Sequence, residues 1–124
     1  MSTRGWSERV RDILDAIEEI DAFTAGMERE TFQADFKTVR AVELDLIVIG
    51  EAASGIPDDI QERHHDIPWS FMKAMRNRLV HAYFNVDPQI LWDTLQDDLP
   101  PLKTALQQLV TDPPTSLTPD TEDL

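Results

Sequence analysis

Apolar residues recur along this chain at intervals of three and four, segment after segment, and no stretch alternates with period two. A three-and-four rhythm lines one face of an α-helix, whereas half-buried strands need alternation, so the spacing predicts an all-α fold. Val10, Ile13, Leu14, Ile17 and Ile20 form the first stripe, opened by Ser7 and Glu8 and closed near Gly26. The second stripe is Val39, Val42, Leu46, Ile49 and Ala53, on a helix starting near Asp35. Ser54-Gly55-Ile56-Pro57 stops it, because glycine allows a left-handed cap and proline cannot continue the ladder. Residues 58–66 read as a polar connection, with room for a short turn of helix.

Asp66 and Pro68 open a third helix that runs through Trp69, Met72, Met75 and Leu79 toward Tyr83. Asp87-Pro88 repeats the signal for a fourth, carrying Ile90, Leu91, Leu95 and Leu99. Pro100-Pro101 is expected to kink or break that helix before Leu102, Leu106 and Leu109 resume the stripe. These elements predict a four- to five-helix up-and-down bundle with short loops.

With 124 residues, 41% of them hydrophobic, there is material for one core and no second. The expected domain spans 1–111. Residues 112–124 are proline- and acid-rich without periodicity, the composition of a disordered tail. There is no cysteine, which excludes disulfides, thiolate metal sites and a cysteine nucleophile. The N-terminal MSTRGWSERVRDILDA is charged and amphipathic, so no signal peptide is expected. The longest nearly uncharged apolar run, Leu46–Gly50, is far too short to span a bilayer. A soluble, cytoplasmic protein with no membrane partner is the expectation.

The net charge of −13 would repel a polyanion. Its distribution is uneven: between Arg63 and Arg78 stand Arg63, Lys73, Arg76 and Arg78 against the single acid Asp66. His64, His65 and His81 fall in or beside that window. Charge counting leaves two readings open, a solvated helix face and an anion-binding patch.

No glycine-rich phosphate loop, HExxH or EF-hand pattern is present. His64-His65 is the candidate metal pair, but helical neighbours point about 100° apart and rarely share an ion, so no metal site is expected. The remaining constellation is KAMRNRLVHAY, residues 73–83. Cleaving RNA without a metal requires a base for the ribose 2′-hydroxyl, an acid for the leaving 5′-oxygen and a cation for the phosphorane. Histidine serves as acid or base near neutrality. Arginine presents a fork of donors matched to phosphate, and tyrosine can donate to phosphate or stack on a base. Bland roles fit the same residues: His81 as a hydrogen-bonded structural histidine, Arg76 as a surface ion pair with a neighbouring helix, Tyr83 as a core edge.

Arg76, four residues, His81, one residue and Tyr83 match the R-x(4–6)-H-x-Y signature of the HEPN superfamily. IGEAASGIP at 49–57 and IPWSFMKAMRNRLVHAYFNVD at 67–87 closely resemble its HepT-like branch, and the similarity covers roughly residues 8–110. The resemblance implies an all-α homodimer with the two motifs facing a shared cleft. It implies a metal-independent endoribonuclease without cofactor, acting on RNA and not DNA, as the toxin of a toxin–antitoxin pair. The partner it implies is a minimal nucleotidyltransferase that transfers AMP to the motif tyrosine. On that basis Arg76 and His81 are the expected catalytic residues. Asn77, Arg78 and Lys73 support them, and Tyr83 is the expected modification target. The alternative is a HEPN-type bundle that binds nucleotides or its partner without cutting RNA.

On a straight helix Arg76 and Tyr83 align within roughly 20°, whereas His81 lies roughly 140° from Arg76. Either the helix unwinds near His81, or arginine and histidine combine across two chains, in which case the monomer is a poor nuclease.

Overall fold

The computed structural model describes residues 5–82 and 85–111; the expected tail 112–124 and Tyr83 lie outside the described residues. Every regular element among the described residues is helical. Four segments carry the bundle: α1 (Trp6–Thr24), α3 (Phe36–Ser54), α5 (Trp69–Ala82) and α7 (Leu99–Thr111). The short helices α2 (Arg29–Ala34), α4 (Asp58–Arg63) and α6 (Pro88–Asp93) connect them. Helix α3 is central, with α1 packed on one side and α5 on the other, and α7 lies against α1.

The predicted stripes are the core. Val10, Ile13, Ile17 and Ile20 of α1 meet Val42, Leu46 and Ile49 of α3, all essentially without solvent exposure. Met72 and Leu79 close the α5 side, and Leu102 and Leu106 the α7 side. Asp35 starts α3 as expected: its carboxylate accepts from the Thr38 amide at 3.2 Å and the Thr38 hydroxyl at 2.8 Å. These bonds hold its pKa below the usual carboxylate range. Asp87 caps α6 through the Gln89 amide at 2.9 Å, with Pro88 in the first helical position.

Four local expectations change. Residues 58–63 form a full short helix, with Asp58 and Asp59 in its first turn and Arg63 in its last, a charge order that suits the helix dipole. Gly55 is not a left-handed cap, since its φ is −89°. A side chain there would instead strike the guanidinium of Arg9. Gly26 is the left-handed glycine, at φ 76°, just past the end of α1. At α5 the proline stands before the helix: the Pro68 carbonyl accepts from the Met72 amide at 3.2 Å.

The fourth change concerns Pro100-Pro101. Helical structure does not break there; both prolines sit in the first turn of α7. The disturbance lies upstream, where Thr94–Asp98 forms a π-helical turn and the Leu99 amide bonds to the Thr94 carbonyl. Proline rings crowd the carbonyls four residues back, and widening the preceding turn relieves that contact while the helical path continues.

Candidate functional site

Helix α5 carries the candidate residues, and α3 sets where they stand. At Gly50 the two helices approach so closely that an added Cβ would collide with the Arg76 Cβ and lie 2.7 Å from the Met72 carbonyl oxygen. Glycine at this one position therefore lets α5 settle on α3 with Arg76 at the crossing. The next residue, Glu51, accepts from Arg76 Nε at 2.7 Å and forms an ion pair with Nη2 through the same oxygen. Asn77 Oδ1 accepts from Arg76 Nη1 at 2.9 Å.

Arg76 is thus held by three of its five N–H donors, leaving two, one on each terminal nitrogen. The ion pair is largely open to solvent, with Glu51 56% exposed, so it adds little stability. Its effect is orientation: the guanidinium is fixed at the surface with donors still available to an anion.

Asn77 lies four residues before His81, so the two share one edge of the helix. Both are exposed. Helix α5 stays α-helical through Ala82 and does not unwind before His81. Arg76 and His81 therefore leave the backbone roughly 140° apart. The arginine side chain bends toward Asn77, making Arg76, Asn77 and His81 a continuous polar edge around the helix, with no hydrogen bond to His81 among the described residues.

Lys73 shares the Arg76 side of α5, where its ammonium donates to Gln61 Oε1 of α4 at 3.2 Å. Arg78 lies roughly 200° around from Arg76 and lines a separate groove between α5 and α6. The four cations counted as one patch are thus dispersed. Arg63 pairs with Asp59 at 3.5 Å, Arg76 with Glu51 and Lys73 with an amide, while no carboxylate among the described residues pairs with Arg78.

His64 is tied by its backbone: its carbonyl accepts from Trp69 Nε1 at 3.0 Å, anchoring the start of α5. His65 is exposed on a shallow groove beside Asp58 and Glu62. Among the described residues no three histidine, cysteine, aspartate or glutamate side chains cluster as a metal site. No helix among them is long and apolar enough to cross a membrane.

Sequence reasoning missed Gly50 and Glu51 as builders of the site. The signal was present, because IGEAA places a glycine and an acid next to small residues on the predicted core face. That Glu51 meets Arg76, 25 positions away, needed the helix pairing to be known.

The family described as "Ribonuclease HepT-like" matches this chain over residues 13–109. The chain is 43% identical over 106 residues to "Probable ribonuclease HepT" of Thermococcus cleftensis, covering 86% of this chain and 96% of that protein. It is 38% identical over 101 residues to "Putative RNase MJ1216" of Methanocaldococcus jannaschii, covering 82% and 84%. A "Putative RNase" of Caldanaerobacter subterraneus is 33% identical over 68% of this chain and 76% of its own length. No solved structure matches the chain.

Proposed function

The chain belongs to the HepT-like ribonuclease family, and from that premise we propose that it cuts RNA internally without a metal ion, as the toxin of a toxin–antitoxin pair. The observation that carries this reading is the Arg76–Asn77–His81 edge, with Arg76 pre-oriented by Glu51 and two of its N–H donors unused. Those donors engage the scissile phosphate and stabilise the charge that builds on the phosphorane. His81 moves a proton at the ribose 2′-oxygen or at the departing 5′-oxygen.

The reaction needs both a base and an acid, and one chain brings one histidine to this edge. A second copy supplies the other, so the proposed active form is a homodimer with the two α5 edges facing one another. An apolar strip on α3 supports that arrangement. Leu44, 62% exposed, and Val48, 39% exposed, continue at helical spacing into Glu51, beside the arginine. In this reading Tyr83 is the residue to which a minimal nucleotidyltransferase antitoxin transfers AMP. The added bulk and negative charge exclude RNA from the same cleft.

The test is RNA cleavage in chelator by the wild type, Arg76→Ala and His81→Ala proteins, each alone and with the two variants mixed. Loss in each variant alone and no recovery on mixing is expected, because the mixed dimer keeps one of the two histidines that the reaction needs. Equal activity in all three proteins sinks the assignment. Full activity in a folded monomeric Leu44→Asp protein overturns the two-chain site. A second reading, a nucleotide-binding module that does not cut, is favoured by the −13 charge and by Glu51 already occupying Arg76. It predicts no cleavage by the wild type, with AMP still accepted at Tyr83.

A further inference from the structure

The opposite side of α5 carries a second feature that the catalytic edge does not use. Phe71, Met75 and Arg78 line a groove of about 210 Å³ whose other wall is Val86, Ile90 and Thr94. Phe71 and Ile90 remain 37% and 45% exposed at its mouth. The Thr94 hydroxyl already donates to the Ile90 carbonyl at 3.0 Å, which leaves Arg78 as the charged donor lining the groove.

We infer that this groove is a subsite for one unpaired nucleobase of the RNA substrate, stacked on Phe71 and the Arg78 guanidinium. The inference rests on the reading of the chain as an RNA-cutting enzyme. Three observations support it. The volume is below the roughly 300 Å³ at which pockets for drug-sized ligands begin, which suits one ring system and not a whole nucleotide. The lining joins an aromatic face to a guanidinium that no carboxylate among the described residues neutralises, the pairing that takes a flat π-system attached to a phosphate.

The groove also leads to the catalytic edge. Arg78 and Phe71 are seven residues apart and align within roughly 20°, and His81 lies roughly 60° from Arg78, one turn further on. A strand whose phosphate lies at His81 therefore has a neighbouring base within reach of the groove. With so few polar groups to read a base edge, the subsite selects for an unpaired base and tolerates its identity.

The test is fluorescence anisotropy with a labelled, non-cleavable 2′-O-methyl oligoadenylate and an abasic strand of the same length and charge. The wild type is expected to bind the base-bearing strand roughly tenfold more tightly. Phe71→Leu removes the ring face, and Ile90→Trp fills the groove from α6. Both should bring that ratio near one with affinity for the abasic strand unchanged, while Phe71→Tyr retains it. A wild-type ratio near one, or an unchanged ratio in both Phe71→Leu and Ile90→Trp, overturns the subsite. So does a change of sedimentation in Phe71→Leu, which would make the groove a contact between copies. If the wild type cleaves unmodified RNA but shows no base preference, the subsite alone fails; if it neither cleaves nor binds RNA, the ribonuclease reading fails with it.

Discussion

Helix α3 has two seams, and they handle charge in opposite ways. Toward α1 it buries Asp45 at 6% exposure, and the neighbouring group is another acid, Glu19. Burial first, and then the hydrogen bond and repulsion from Glu19, push the Asp45 carboxyl up to about 7. Its Oδ2 is buried with no hydrogen-bond partner among the described residues, so nothing there stabilises the charged form. Toward α5 the acid is Glu51, exposed and opposite an arginine. The first seam closes over Asp45, so burial and Glu19 hold its acid toward the protonated form. The second is open at its edge, where its acid pairs with Arg76 and aims that cation at solvent. One helix thus closes the core on one side and orients an exposed arginine on the other.

The contrast breaks most visibly at the α5 seam. Arg76→Ala or His81→Ala should lower RNA cleavage by about 100-fold or more, with the thermal midpoint almost unmoved because both residues reach solvent. A large drop in midpoint with activity preserved would reverse the roles given to the two seams. Gly50→Ala comes next, since the added methyl must displace the Arg76 Cβ and the Met72 carbonyl. Overpacking of this kind costs about 1–3 kcal/mol, and here activity should fall with it. Gly55→Ala is the matched control: the nearest atoms to its methyl are those of the movable end of Arg9, and urea unfolding should separate the two variants clearly.

Asp45→Asn tests the closed seam. The folded protein holds the Asp45 proton up to about 7, whereas an unfolded chain releases it near about 4. The native state therefore binds more protons in that window, and wild-type stability falls as pH rises through it, then levels off. The difference between variant and wild type should grow in favour of Asp45→Asn from pH 4 to 7, by on the order of 1–2 kcal/mol. A difference that stays flat across this range would show that Asp45 is ionised in the fold. Glu51→Gln is the smallest effect on stability, under about 1 kcal/mol. Its informative readout is the KM for RNA, which should change as Arg76 loses its charged anchor.

What could be read from the sequence follows the distance over which each interaction acts. The stripes on α1, α3, α5 and α7 were legible because one face of a helix is a local pattern. Helix α2 was not: it offers Phe32 as its single buried residue, and its capping box pairs Glu28 with Thr31 in the reverse of the usual order. Phe32 is fully buried with its ring 5.4 Å from that of Trp92, a contact no local pattern encodes. At the site, Arg76, Asn77 and His81 were expected from the resemblance to the HepT-like branch, while the local chemistry left structural roles open. Their separation around the helix followed from 100° per residue, but the bend of the Arg76 guanidinium toward Asn77 and its pairing with Glu51 did not, since these depend on Gly50 setting the helix crossing. The charge cluster left two readings open, and the helix turns Arg78 away from Arg76 by roughly 200°.

The π-helical turn at Thr94–Asp98 can be understood as a correction of phase. Leu91, Leu95 and Leu99 are spaced by four and all buried. On an unbroken α-helix two steps of four advance by roughly 80°, enough to carry Leu99 off the core face. Turning more slowly through the wide turn cancels that advance, so the stripe of α6 and the stripe of α7 fall on one line. The two prolines thus act at a distance from themselves. By obliging the preceding turn to open, they set the rotation at which all of α7 meets α1. Deleting one residue from that turn would let it close to an α-helical one, because a step of seven residues returns Leu99 to within roughly 20° of Leu91 and keeps the apolar stripe of α7 on the core.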